Sequence, residues 1–297
     1  MLSYRHAFHA GNHADVLKHA ILSRLVISFE RKTKPFTYID SHAGAGIYSL
    51  DSDWAKKTAE AEAGIYKVFG RTDCPDLLFP YLTTCRNLYK SSHQYPGSPE
   101  LVRALSRADD QLILMELHPT EIENLRRRYQ KEERIHIHHR DGFDGLIAVC
   151  PPEPRRGFTL LDPSYEDTED YKRTAQTVIA VHKRWSAGTI AVWYPLLPYR
   201  NTECQRMKDA MKIIADEIII GELKSSPDSS VAAPRLSLKS STHTDSDGYG
   251  LSGSGMLLVN PPWKLQEELE VILPWIANVL NQEISEYKIL HGSSQDT

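Results

Sequence analysis

Seven short runs rich in β-branched and large apolar residues, most of them parted by a segment of helical periodicity, constrain this chain more than any other feature. They are PFTYID (35–40), QLILMEL (111–117), RIHIHH (134–139), GFTLLDP (157–163), TIAVWYP (189–195), EIIIGEL (217–223) and GMLLVNP (255–261). The helical patterns between them are SPELVRALSRA, PTEIENLRRRYQKEE, EDYKRTAQTVIAVHKRW and TECQRMKDAMKII. Strand and helix in alternation predict an α/β fold, a mostly parallel sheet covered on both faces. Ahead of the first strand, residues 11–34 set Val16, Leu17, Ala20, Ile21, Leu25 and Phe29 near helical spacing, which predicts an amphipathic helix. With 297 residues and 41% hydrophobic content, the chain has ample core for one large domain spanning 1–297.

Two stretches interrupt the rhythm. Residues 51–95 read as helices only and are expected to form a helical insertion after strand one, whereas 225–254 is rich in Ser, Asp and Gly and is expected to be a mobile surface loop. The N-terminus, MLSYRHAFHAGNH, is too polar for a signal peptide, and no charge-free apolar run of about 18 residues occurs, so a soluble cytoplasmic protein is expected. Cys74, Cys85, Cys150 and Cys204 form no CxxC pair, which argues against zinc and disulfide frameworks. Nor do the histidines near the N-terminus suggest a metal, because His13 and His19 are six apart and point to different sides of a helix. A net charge of −4 gives no global attraction to nucleic acid, so such binding would need a local patch. Arg126–Arg128, with Lys131 and Arg134, is the densest basic cluster.

The strand ends carry the chemistry. In an open parallel sheet, ligands bind beyond the carboxyl ends of the strands, where strand order reverses. Strand one ends in Asp40, strand two in Glu116, strand three leads into Asp141, and strand four ends in Asp162. Gly44 and Gly46 permit a tight turn and close approach of backbone to ligand. A carboxylate such as Glu116 suits a ribose diol, and Asp141-Gly142 one strand further is expected to face an adenine. Ser49 breaks the G-x-G-x-x-G pattern of dinucleotide sites. A cofactor without pyrophosphate needs less amide cradling, and the cationic S-adenosylmethionine suits walls lined with acids.

Asp162-Pro163-Ser164-Tyr165 then resembles the [DNS]-P-P-[YFW] turn of amino-group methyltransferases. Asp162 and the Pro163 carbonyl are expected to accept hydrogen bonds from the target amine, and Tyr165 to stack on its base. Ser164 departs from the pattern, and a looser but working turn is expected. Asn260-Pro-Pro-Trp263 fits the written signature better, yet it follows the seventh strand, away from the cofactor acids; Trp263 is expected to serve packing.

MLSYRHAFHAGNHADVLKH, DSHAGAG, YPGSP, MELHP, RDGF and NPPWKL together resemble the bacterial 23S ribosomal RNA adenine-N6 methyltransferases of the RlmJ type, over residues 1 to about 285. The resemblance implies a monomeric Rossmann-like class I methyltransferase with an inserted helical subdomain, acting through S-adenosylmethionine on one flipped adenosine of 23S rRNA, free or in early assembly intermediates. It places cofactor contacts on His19, His42, Ser98, Glu116, Asp141 and Gly142, the catalytic acid on Asp162, and substrate contacts on Tyr4, His6 and Lys18. Two other readings stay open. A DNA adenine methyltransferase is chemically identical at the turn, and an rRNA-binding assembly factor that lost the reaction would leave Ser164 as its trace.

Overall fold

Thr37–Asp40 is a strand because its four side chains are β-branched, aromatic or short, and all four are buried, as a strand covered on both faces requires. The structure, a computed structural model, describes residues 9–51, 60–215, 217–225 and 251–291. In chain order the elements are α1 (His13–Glu30), β1 (Thr37–Asp40), β2 (Ile47–Ser49), α2 (Glu60–Ala63), α3 (Ile65–Phe69), α4 (Phe79–Ser92), β3 (Gln94–Pro96), α5 (Ser98–Leu105), β4 (Gln111–Glu116), α6 (Pro119–Tyr129), β5 (Ile135–His139), α7 (Gly142–Val149), β6 (Gly157–Leu161), α8 (Glu169–Arg184), β7 (Thr189–Leu196), α9 (Asn201–Lys212), β8 (Glu217–Ser225), β9 (Gly253–Val259), α10 (Leu265–Leu280) and β10 (Gln282–His291).

The main sheet has eight strands in the order β10-β8-β9-β7-β6-β1-β4-β5. All seven expected strands are present; β10 is an addition. It pairs antiparallel with β8, and its register shifts between Ile284 and Glu286. That irregularity breaks the two-residue alternation by which a strand is recognised. β1 lies between β4 and β6 and is parallel to both, so the chain moves outward to one side through β4 and β5 and to the other through β6 and β7. Strand order therefore reverses at β1, which opens a crevice at the carboxyl ends of β1, β4 and β6.

Two apolar clusters sandwich the sheet. One gathers side chains of α1, α4, α5 and α10, among them Leu17, Leu82, Leu101 and Leu269; the other gathers those of α7, α8 and α9, among them Leu146, Val178 and Met207. α1 is not the amphipathic helix its spacing suggests, for Asp15, Lys18, His19, Ser23 and Arg24 are buried along with its apolar residues. Buried polar groups need partners. Arg24 finds Glu268, and Lys18 and His19 turn toward the crevice. The stretch expected to be helices only closes on a strand: β3 (94–96) at its end pairs antiparallel with β2 (47–49) just ahead of it, which brings the two ends of the insertion side by side.

Candidate active site

At the end of β1 the carboxylate of Asp40 is fully buried and accepts from Tyr38 Oη at 2.7 Å, Ser98 Oγ at 2.6 Å and the His42 amide at 3.2 Å. Burial pushes its pKa up to about 6 against those donors. Asp40 thus fixes Ser98 and the following loop rather than meeting a ligand itself. Gly44 lies in the left-handed region at φ +60, and a Cβ there would fall 2.1 Å from Tyr48 Oη. Its amide instead donates to Glu116 Oε2 at 2.8 Å.

Glu116, at the tip of β4, also accepts from the His118 amide at 2.6 Å, and burial raises its pKa despite both bonds. Oε2 takes the Gly44 amide and Oε1 the His118 amide, which leaves lone-pair capacity on the carboxylate for a hydroxyl. Beyond β5, Asp141 caps α7 by accepting from the amides of Phe143 at 2.9 Å and Asp144 at 3.2 Å, and Arg173 Nη2 lies 3.0 Å from both carboxylate oxygens. Burial works against ionisation of Asp141, yet the amides and the guanidinium outweigh it and hold the pKa below the usual carboxylate value. Gly142 sits so close to strand one that a Cβ would lie 1.9 Å from the Ser41 carbonyl oxygen. His42 meets Phe143 edge to face at 5.1 Å between centroids, and burial lowers its pKa to about 4 although Asp162 and Asp141 pull the other way.

At the end of β6, Asp162 Oδ2 accepts from Lys18 Nζ at 2.6 Å, and Lys18 is held from its other side by Asp15 Oδ1 at 2.9 Å. Burial alone would neutralise this ammonium; the carboxylates of Asp15 and Asp162 more than offset it and raise the pKa. His19, one residue on, hydrogen-bonds Tyr95 Oη through Nδ1 at 2.8 Å.

These elements meet in one cavity of about 190 Å³, lined by Lys18, His19, His42, Gly44, Ser98, Glu116, Asp141, Gly142, Asp162 and Pro163. Three carboxylates from the ends of three strands thus share a single pocket whose glycines leave room that a side chain would fill. Tyr165 is the exception. Its backbone is left-handed at φ 53, its ring is 2% exposed, and its hydroxyl donates to the Trp193 carbonyl at 2.8 Å. The ring therefore points into the core beside Tyr171 and offers no stacking face to the pocket; Ser164 lines it instead. Tyr4 and His6 lie outside the described residues, as do residues 226–250 of the Ser-rich stretch.

A family model described as Ribosomal RNA large subunit methyltransferase D, RlmJ, matches residues 33–290. The chain belongs to this family. It is 39% identical over 282 residues to Ribosomal RNA large subunit methyltransferase J of Escherichia coli K12, covering 94% of each chain, and 34% identical over 286 residues to the protein of that name from Haemophilus influenzae, covering 95% of each. A crystal structure of a Legionella pneumophila protein superposes with a TM-score of 0.82 at 30% identity, over 96% of this chain and 99% of that one. The fold is accordingly the Rossmann-like class I methyltransferase fold that the sequence resemblance implied.

Sequence reasoning missed Arg173, Phe143, Tyr48 and Asp15. Only Asp15 had a local signal, three residues before Lys18 on one helical face. Arg173 reaches Asp141 from α8, 32 residues away in the chain. The second proline-rich turn is indeed remote, since β9 runs antiparallel to β7 and delivers Asn260 to the edge of the sheet opposite the pocket. The packing role expected of Trp263 is overturned, as the residue is 79% exposed. Among the described residues, no group of three or more His, Cys, Asp or Glu is arranged to hold a metal ion, and no helix is long and apolar enough to cross a membrane.

Proposed function

We propose that this chain transfers a methyl group from S-adenosylmethionine to the N6 amine of one adenosine in 23S rRNA. The observation that carries this is the convergence of Glu116, Asp141 and Asp162 in one pocket beside Lys18. When bound, the cofactor supplies an electrophilic methyl group on a sulfonium. Glu116 would take its ribose diol, Asp141 its exocyclic amine, and His19, His42, Gly44, Ser98 and Gly142 would complete the walls.

An adenine amine is a weak nucleophile because its lone pair is delocalised into the ring. Lys18 anchors Asp162 through Oδ2, so Oδ1 and the Pro163 carbonyl are the acceptors that hold the amine's hydrogens and aim its lone pair. As nitrogen gains positive charge, Asp162 stabilises it and then accepts the proton. Tyr4 and His6 contact the flipped adenosine in this reading, and the base enters as a single-stranded or frayed nucleotide. The protein works as a cytoplasmic monomer on rRNA that is free or in early assembly.

Mass spectrometry of 23S rRNA from a deletion strain tests this reading. Loss of one N6-methyladenosine, restored by the intact gene but not by one encoding Asp162→Ala, is the expected result; an unchanged level overturns it. Matched RNA and DNA oligonucleotides presented to the pure enzyme exclude or reveal a DNA substrate.

A further inference from the structure

The turn 260–264 holds an indole out in water. Asn260 and Lys264 are left-handed at φ 51 and 69, and two consecutive prolines fix the backbone between them. Asn260 Nδ2 donates to the Ser186 carbonyl at 2.6 Å and the Gly188 carbonyl at 3.1 Å, Thr189 Oγ1 donates to the Asn260 carbonyl at 2.6 Å, and Arg31 donates to the Trp263 carbonyl at 3.4 Å. The turn is thus bolted to the sheet edge from three sides while Trp263 itself is 79% exposed. Lys264 Nζ lies 4.4 Å from the ring centroid, which occupies one face and leaves the other open.

Along the same edge, the ends of α1 and β9 and the starts of β1, β6 and β7 bring Lys32, Lys34 and Arg155 to the surface. Glu268 is taken by Arg24 and Arg31, and Glu30, Asp109 and Asp110 by Arg107, whose guanidinium donates to the Lys32 and Lys34 carbonyls; Glu153 and Glu267 are the exposed carboxylates on the same segments as Arg155 and Lys264. Cations outnumber acids here although the whole chain is net negative. The neighbours of the indole are charged rather than apolar, so it lacks the contiguous apolar patch around which a protein interface is built. A fixed aromatic ring flanked by exposed ammonium groups is what an unpaired base and its phosphates require.

We infer that Trp263, with Lys264, Lys32 and Lys34, forms a second RNA contact at the sheet edge opposite the pocket, where an unpaired base of the substrate rRNA stacks on the indole. This rests on the rRNA-methyltransferase reading above. The sheet's depth, on the order of 20 Å, separates the contact from the pocket. A hairpin too short to run from the pocket around the sheet engages the pocket alone, whereas folded 23S rRNA can reach both.

The test is binding of the full chain to deproteinised 23S rRNA and to a short hairpin carrying the methylated adenosine. Trp263→Ala should weaken binding to the long RNA about tenfold, within the roughly 5- to 150-fold expected for one stacked base. Trp263→Phe, which keeps a ring, should recover most of it. Lys32→Ala/Lys34→Ala should flatten the salt dependence by a slope of about 1.4, roughly 0.7 for each lost phosphate contact. Cofactor affinity and methylation of the short hairpin should not change in any of these variants. Unchanged affinity of Trp263→Ala for the long RNA overturns the inference and leaves the enzyme reading standing, and so does an effect confined to self-association or to binding of ribosomal proteins. If the wild-type chain binds neither RNA, both fail together.

Discussion

Acidification should destabilise this protein through two histidines, and the size of the effect follows from their burial. His13 and His42 each have an ordinary pKa of 6.5 and are lowered by burial to about 4. Between those values the unfolded chain binds a proton that the folded chain refuses, so stability falls as pH drops from about 6.5 toward 4. At pH 5 the difference is about 2 kcal/mol per histidine, since roughly 30 unfolded imidazoles are then protonated for each neutral one. Asp40 acts in the opposite sense. Its pKa rises from 3.8 to about 6, so its contribution is fullest below 3.8 and is lost as pH rises through 6. At pH 5 it returns about 1.4 kcal/mol, so these three groups together cost about 2.5 kcal/mol relative to pH 7.5. His13 is the residue to change because it does not line the pocket and its Nε2 has no hydrogen-bond partner among the described residues. Urea denaturation of wild type and His13→Gln at pH 7.5 and 5.0 reads the effect directly. The variant should lose about 2 kcal/mol less than wild type between the two pH values, whatever its stability at either one. Equal losses would show that His13 titrates normally in the folded protein and that its burial carries no such cost.

Tyr165→Phe should leave methyl transfer within a few-fold of wild type and cost about 1 kcal/mol for the hydrogen bond to Trp193, whereas Tyr165→Ala should cost about 3–5 kcal/mol as a core truncation; a loss of rate in Tyr165→Phe without loss of stability would return the ring to the active site. Asp162→Asn should keep cofactor binding within a few-fold by calorimetry while lowering kcat at least about 100-fold, and parallel losses in both would make Asp162 a cofactor ligand instead. Arg173→Ala should weaken cofactor binding about tenfold and raise KM for the cofactor more than it lowers kcat, because it frees the Asp141 carboxylate to turn away. Gly142→Ala should abolish soluble expression or cofactor binding, since the new methyl group would sit 1.9 Å from the Ser41 carbonyl oxygen; near-normal affinity would show that strand one can yield.

Three strand ends are legible in the sequence because the runs of β1, β4 and β6 stop at or beside an acid, and an apolar strand that ends in a carboxylate has few other uses for it. Asp40, Glu116 and Asp162 therefore stand out as a set, although nothing in the sequence reveals that Asp40 is sealed under Ser98 and Tyr38. Helical spacing places α1 within a few residues, but a sequence cannot show that a polar face is covered; only the packing of α5, α10 and the insertion around it makes Asp15 and Arg24 interior. β10 escapes notice because its register shift puts Ile284 and Tyr287 out of alternation.

The two proline-rich turns show most plainly where pattern and physics separate. Both read alike as text, with an acid or amide, proline and an aromatic residue. What distinguishes them is strand direction: β6 is parallel to β1 and delivers Asp162 to the pocket, while β9 is antiparallel to β7 and delivers Asn260 to the other edge. The aromatic residues then exchange the roles their motifs assign, for Tyr165 turns left-handed into the core and Trp263 is pinned outward by Asn260 and Arg31. Placing the amine acceptor therefore depends on topology. Placing the exposed ring depends on side-chain hydrogen bonds between residues far apart in the chain, Asn260 to the Ser186 carbonyl and Arg31 to the Trp263 carbonyl, and no local motif can encode either one.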